Sequence, residues 1–239
     1  MISLDRQEAY RRRYAALKPG YRSSNQVYED LLLRCLAAQS RALDAGCGRA
    51  GVLRHYTDRV RQAVGLDSDL ASLQENEGLA QKVLGDLTHM PFAEGVFDLV
   101  LCTWVVEHLR SPDLAFAEMA RVLRRGGRLL LLTPNAWNYV TLVGRLIPAR
   151  LQRFLVRKIY GRQPGDTFPV AYRANTRRGL EEKLGRVGLR AEEFHYVGDP
   201  SYIAFNDLLF GLGVWIERVT DWGPLRALKV HLVASYVKV

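Results

Sequence analysis

Apolar residues fall along this chain in short runs separated by turn signals, and the runs switch between two periods. Glu8 to Leu17 is polar with Tyr10, Tyr14 and Leu17 at helical spacing, and Pro19-Gly20 breaks it. A second helix is predicted from about Ser24, with Leu31, Leu32, Cys35 and Leu36 on its apolar face. Ala42-Leu43 then reads as a short strand that runs into Asp44 and the turn Gly46-Cys47-Gly48. A helix is expected from about Ala50, continuing through Val52 to Tyr56. Ala63 to Leu66 is a second strand ending in Asp67, and Ser68 and Asp69 are placed to cap the next helix. Lys82 to Gly85 is a third strand, ending in Asp86. Phe97 to Cys102 is a fourth, nearly continuous in apolar residues as a buried parallel strand should be. Ser111-Pro112 opens a helix through Leu123 with Leu114, Phe116, Met119 and Leu123 as core positions. Arg125-Gly126-Gly127 ends it, and Arg128 to Thr133 is a fifth strand, stopped by Pro134-Asn135. Five strand–helix alternations predict an α/β fold with a right-handed, doubly wound parallel sheet.

Length and composition narrow this. A chain of 239 residues, 48% hydrophobic, fits one domain with insertions and can bury a real core. The three cysteines, Cys35, Cys47 and Cys102, are far apart and odd in number, so neither a disulfide framework nor a metal cluster is indicated. The opening residues, MISLDRQEAYRRR, carry no apolar signal core. No run approaches the roughly 20 apolar residues of a membrane span. A cytoplasmic protein is the expectation. The net charge of +9 is unevenly spread: no acidic residue stands between Glu118 and Asp166, where Arg121, Arg124, Arg125, Arg128, Arg145, Arg150, Arg153, Arg157, Lys158 and Arg162 all fall. That stretch is either a solvated basic face or a surface for an anionic partner, membrane or nucleic acid.

The chemistry concentrates at the strand ends. A strand, a glycine turn and a helix start make a binding lip for a small molecule. Gly46, Gly48 and Gly51 satisfy G-x-G-x-x-G, which alone fits a dinucleotide site. Asp44 discriminates, because a carboxylate there repels a pyrophosphate and suits a ligand with positive charge. S-adenosylmethionine carries a sulfonium and an ammonium against one carboxylate. Asp67, about 20 residues beyond the loop, can accept hydrogen bonds from two ribose hydroxyls. The plainer readings are a ligand-free tight turn, and helix caps for Asp67 and Asp69. Asp86 and a backbone N–H beyond it could read the polar edge of an adenine, while Met90 and Phe92 are as readily packing and His89 an exposed loop residue.

The successive segments ALDAGCGRAG, VGLD, GDLTHMPFAEGVFDLVLCTWVVEHL and EMARVLRRGGRLLLLTPN resemble the motifs of class I S-adenosylmethionine-dependent methyltransferases. The nearest flavour is the small-molecule group related to quinone-biosynthesis enzymes, and the match covers about residues 40 to 135. The resemblance implies S-adenosyl-L-methionine as cofactor, and a role at each matching position. Asp44, Gly46 and Gly48 would hold its amino-acid end, and Asp67 the ribose hydroxyls. Ser68 would lie against the adenine. Asp86 would meet the adenine amino group, with the Leu87 backbone N–H beside it, and Thr103 would flank the methionine moiety. Arg49-Ala50 departs from the family, which often has a further glycine at position 50. The resemblance also implies a seven-stranded Rossmann-like sheet with an antiparallel last strand, and Leu189 to Val197 and Leu228 to Val239 supply strands six and seven.

The organisation expected is a single methyltransferase domain. An N-terminal helical cap covers 1–40, the cofactor-binding core 41–135, a basic helical lid 136–188, and the last two strands with an apolar helical insertion 189–239. The lid is a basic amphipathic helix, either an ordinary lid or a membrane-surface element. In the insertion, the apolar residues of Pro200 to Val219 go nearly all the way round a helix, which must then be buried in protein, a partner or lipid. Peripheral contact with an anionic membrane through 145–162 and 200–219 is therefore open, as is a pocket for a lipophilic acceptor. No catalytic residue is assigned; His108, just past the fourth strand, is the best-placed candidate base and His195 the second. The leading function is methyl transfer to a small, lipophilic or glycosylated metabolite. An NAD-dependent oxidoreductase, a nucleic-acid methyltransferase and a non-catalytic binding subunit are the alternatives. CTWV, where amino-methylating nucleic-acid enzymes of this fold often carry Asn-Pro-Pro-aromatic, argues against nucleic acid.

Overall fold

A computed structural model describes residues 4–146 and 169–239. Contacts divide the chain into two compact units, each built from separated segments. One holds Val27–Thr133, Val170–His195 and Leu232–Val239; the other holds Met1–Gln26, Pro134–Pro169 and Tyr196–His231.

The first unit is organised on a seven-stranded sheet. Its strands are β1 (Arg41–Ala45), β2 (Gln62–Asp67), β3 (Gln81–Leu84), β4 (Phe97–Thr103), β5 (Leu123–Pro134), β6 (Leu189–Val197) and β7 (His231–Lys238), in the order β3-β2-β1-β4-β5-β7-β6. The pairs from β3 to β5 are parallel. β7 runs against its neighbours: Val239 at its end donates to the carbonyl of Gly188, just before β6. Leu43, Leu66, Val100, Leu101, Leu130 and Leu132 are buried in the sheet, each contributing about 2 kcal/mol by leaving water.

Two helical expectations change. The stretch after the glycine turn forms two separate single-turn 3-10 pieces, Val52–His55 and Thr57–Arg59, instead of an α-helix. The Leu53 N–H is held by the Asp44 side chain at 3.1 Å, and a Cβ on Gly51 would stand 2.3 Å from that carboxylate, so the chain is pinned to β1 where a helix would lift it away. The helix Pro112–Val122 buries Ala115, Phe116, Met119, Ala120 and Val122, but Leu114 is 58% exposed. Leu114 lies two residues before Phe116, about 200° round the helix. Strand β5 also begins earlier than expected. Leu123 pairs with Phe97 and Arg128 with Leu99, so the Arg124–Gly127 segment is a bulge within the strand rather than a break.

The second unit is helical. Its elements are α1 (Leu4–Leu17), α2 (Tyr139–Leu146) and α3 (Asp207–Val219). Tyr10, Tyr14, Ala204, Phe210 and Val214 form its core, with Tyr21 packed against them. Tyr10 stacks on Phe210 with ring centroids 4.8 Å apart, so these aromatics serve as core. Asn206 caps α3 by accepting from the Leu209 N–H at 2.8 Å. Only one face of α3 is buried, through Phe210, Gly213, Val214 and Glu217. Its other face is open, so the chain itself covers the helix on one side only. The basic stretch expected at 145–162 lies, beyond Leu146, outside the described residues. Among the described residues no helix is long and apolar enough to cross a membrane.

Candidate functional site

Because β3, β2, β1 and β4 are adjacent and parallel, their C-terminal ends form one row. Along it stand Asp86 and Leu87 beyond β3, Asp67 and Ser68 at the end of β2, Asp44 in β1 with Gly46 and Gly48 beyond it, and Thr103 closing β4. The structure thus brings together eight residues that are scattered in sequence, at the edge where open parallel sheets bind ligands.

The glycine turn is fixed from below. The N–H groups of Gly46 and Cys47 both donate to the Leu66 carbonyl, at 2.7 and 3.1 Å. Gly46 and Gly48 have φ of +82° and +50°, a region that side chains disfavour. A Cβ on Gly46 would collide with Val105 at 2.4 Å, whereas one on Gly48 would meet nothing within 4 Å. The turn is therefore closed on the Val105 side and open at Gly48. Arg49 points away, to Glu75 at 3.1 Å on the surface.

Asn76 was not singled out by sequence reasoning, yet it holds the turn. Fully buried, it donates from Nδ2 to the Gly48 carbonyl at 2.8 Å and accepts from the Gly78 N–H at 3.2 Å. Its sequence context, a lone asparagine after a short helix, reads as a cap. Asn76→Ala leaves the Gly48 carbonyl without this partner, a loss of about 1–3 kcal/mol. The expected result is a melting temperature lower by several degrees, with affinity for S-adenosylmethionine about tenfold weaker by calorimetric titration. Unchanged affinity would show that the turn holds its shape without Asn76.

Two carboxylates face this turn. Asp67 accepts from the Gly48 N–H at 2.8 Å on one oxygen and from the Asp69 N–H at 2.9 Å on the other. Each oxygen keeps a lone pair for a further donor, the requirement of a vicinal diol. Asp44 is 1% exposed and accepts from the Leu53 N–H. Burial pushes its carboxyl up to about 6, the Leu53 bond opposing the shift and the Asp67 charge adding to it. No cation among the described residues offsets it. A buried anion without a counter-charge is the chemical signature of a site completed by a cation, and Gly48 leaves open room beside it, so these residues fit the cofactor. Burial also pushes the Cys47 thiol up to about 12, which removes it as a nucleophile.

Further along the row, Asp86 is exposed, accepts from the Thr88 N–H at 2.8 Å, and bridges to His89 across a tight turn. Among the described residues no acceptor takes the Leu87 N–H. Met90 is buried and Phe92 packs edge-on to Phe97 at 5.0 Å. The Thr103 hydroxyl is buried beside the Tyr28 phenol without a well-formed hydrogen bond.

Beyond β4 lies a polar cluster that sequence reasoning missed. Asn175 donates to the Thr133 hydroxyl at 2.6 Å, and that hydroxyl donates to Glu107 at 2.9 Å. The Glu107 carbonyl accepts from the N–H groups of Ala171 and Tyr172 at 2.7 and 3.2 Å. Burial raises the Glu107 carboxyl above its ordinary range. Trp104 and Tyr172, with φ of +60° and +49°, flank this cluster; such strain concentrates at functional sites. The available signal was a carboxylate inside the apolar stretch Val105 to Leu109. His108 is half-buried with Nε2 4.0 Å from Glu107. His195 lies on β6, the far edge strand, beside Glu193 at 3.3 Å, away from the row.

The comparisons with known proteins point one way. A family model described as a methyltransferase domain matches residues 43–131. The malonyl-[acyl-carrier protein] O-methyltransferase of Enterobacter lignolyticus is 31% identical over 182 residues, covering 73% of this chain and 65% of that protein. A probable S-adenosylmethionine-dependent methyltransferase of Mycolicibacterium smegmatis is 34% identical over 118 residues, 48% of this chain and 45% of its own length. The chain thus spans about half the length of these relatives. In fold it is similar to the geranyl diphosphate C-methyltransferase of Streptomyces coelicolor, solved with Mg2+, geranyl diphosphate and S-adenosyl-L-homocysteine: TM-score 0.60 at 14% identity, over 89% of this chain and 76% of that one. Residues 43–131 thus match a methyltransferase domain, and the chain is similar to the class I S-adenosylmethionine-dependent methyltransferases.

Proposed function

We propose that the protein transfers a methyl group from S-adenosylmethionine to a small, lipophilic or glycosylated metabolite. The observation that carries this reading is Asp44, a buried carboxylate with no counter-charge among the described residues, beside an open glycine turn. Asp44 would take the cofactor's positive charge, with Gly46 and Gly48 along its amino-acid end. Asp67 would accept from the ribose hydroxyls and Ser68 would lie against the adenine. Asp86 and the Leu87 N–H would read the adenine edge, and the Thr103 backbone would flank the methionine. When bound, the cofactor supplies an electrophilic methyl group whose in-line displacement is helped mainly by placement of the nucleophile. The chain's own task is then to orient that nucleophile and, for an oxygen acceptor, to remove a proton. His108 is the candidate base, and the Glu107 carboxyl stands 4.0 Å behind it.

The small acceptor is supported by relatives named for malonyl-acyl carrier protein and by the fold-mate that holds geranyl diphosphate. Three arginines of the basic run read against nucleic acid. Arg121 pairs with Glu118 at 2.7 Å, Arg124 with Asp98 at 2.5 Å and Arg128 with Glu192 at 2.8 Å, so these arginines are committed within the fold. A pyrophosphate, as in NAD, would be repelled by Asp44.

Calorimetric titration with S-adenosylmethionine, its demethylated product and NADH tests the proposal. Binding of the first two alone is expected, and Asp67→Ala should weaken it about tenfold or more, since two hydrogen bonds to a charged acceptor are lost. Binding of NADH alone would overturn the reading; binding of none by folded protein would leave a non-catalytic subunit.

A further inference from the structure

On α3 and the turn after it, Leu208, Leu212, Trp215, Val219 and Trp222 are 82%, 47%, 61%, 38% and 67% exposed. They recur every three or four residues, so they form one straight stripe along the helix. The opposite face, Phe210, Val214 and Glu217, is packed into the core of the helical unit. The stripe is therefore surplus to folding. Taking about 200 Å² for a fully exposed side chain of this size, it leaves on the order of 600 Å² of apolar surface uncovered. That reaches the upper end of the largest patch on ordinary monomers and falls below the about 800 Å² each partner of a stable dimer buries.

The flanking charge decides what suits it. Every acidic group on this segment is already engaged. Asp207 pairs with Arg13 at 2.7 Å, Glu217 with Lys229 at 2.8 Å, and Asp221 with Lys18 at 2.6 Å and Lys229 at 3.1 Å. Arg218 and Arg226 are exposed beside the stripe, with Arg226 donating to the Asp221 carbonyl at 3.2 Å. Tryptophan is the side chain best suited to a membrane–water interface, and a leucine–tryptophan face edged by arginine is the pattern of a helix lying in an anionic lipid surface.

We propose that this stripe docks the protein on an anionic membrane, with α3 lying in the interface plane and Trp215 and Trp222 inserted at headgroup depth. This goes beyond the methyl-transfer reading and does not depend on it. A methyltransferase seated there would meet lipophilic acceptors where they concentrate.

The test is co-flotation of the full chain with vesicles of phosphatidylcholine alone and of phosphatidylcholine mixed with phosphatidylglycerol. The protein should float with the mixed vesicles, and its tryptophan emission should shift to the blue. Trp215→Ala/Trp222→Ala should lower partitioning at least about tenfold. Arg218→Glu/Arg226→Glu, which leaves the apolar stripe in place and removes one hydrogen bond, from Arg226 Nε to the Asp221 carbonyl, should lower it about fivefold or more for each arginine on mixed vesicles and abolish the preference for anionic lipid. Cofactor binding should survive in both. Wild-type protein that stays out of the float would overturn the proposal, as would variants that partition like the wild type. So would light scattering that finds a wild-type dimer which the tryptophan variant dissociates, since the stripe would then be an interface between two copies.

Discussion

Asp44→Asn should bind S-adenosylmethionine at least a hundredfold more weakly, while the ligand-free protein melts about 3–6 °C higher. The two effects have one cause. Asp44 ionises at about 3.8 in an unfolded chain and at about 6 in the folded one, because burial penalises its charge. Below about pH 4 it is protonated in both states and costs nothing. Between pH 4 and 6 the folded protein holds a proton that the unfolded chain has lost, so stability falls as pH rises. Above pH 6 the whole penalty, about 3 kcal/mol, remains. Asparagine removes the charge and keeps an oxygen for the Leu53 N–H, so part of that penalty, about 1–2 kcal/mol, returns as stability. It also removes the anion that a cationic ligand would neutralise.

The pH dependence separates this account from a merely steric one. In the wild type, affinity should hold above pH 6 and fall toward tenfold per unit below it, because binding must then displace the proton on Asp44. In Asp44→Asn the affinity should be weak and flat over the same range. A variant that binds within threefold of the wild type, or that keeps the same pH profile, would remove Asp44 from the site. A variant less stable than the wild type would show that the carboxylate supports the fold.

The carboxylates of the site are legible in the sequence because each breaks a local rule. Asp44, Asp67 and Asp86 each close a short apolar run, and a charge at that place in a parallel strand must meet either a helix start or a ligand. The strand alternation likewise points to a parallel, doubly wound sheet, since parallel connections have one hand; the strand order is seen only in the structure. What the sequence does not carry is pairing across long separations. Asn76 under Gly48, and Asn175 and Thr133 behind Glu107, join segments 28, 42 and 26 residues apart. The helix expected after Gly51 fails for a similar reason, because the Asp44 side chain captures a backbone N–H that a helix would need. Leu114 shows the complementary error. Periodicity names the apolar residues, but only the neighbours decide which of them are covered.

The second large effect lies in the helical unit, where Glu217 is fully buried in the last turn of α3. It accepts from Lys229 at 2.8 Å, from the Tyr139 hydroxyl at 3.3 Å and from the Asp199 N–H at 3.2 Å. Lys229 is 5% exposed and also reaches Asp221 and the Thr220 hydroxyl, at 3.1 and 3.3 Å. The room is shaped around this pair: a Cβ on Gly198 would fall 1.7 Å from the Glu217 carboxylate. Lys229→Met keeps the volume and removes the cation, so Glu217 is left as a buried charge held by two neutral donors. The expected cost is about 3–5 kcal/mol in denaturant unfolding. Glu217→Gln/Lys229→Met removes both charges, keeps acceptors for Tyr139 and Asp199, and should recover most of that loss. A coupling of at least 2 kcal/mol between the two sites is therefore expected from the double-mutant cycle. A single variant costing under 1 kcal/mol would mean that water reaches the pair. Equal losses in single and double variants would mean that shape rather than charge holds α3 to its neighbours.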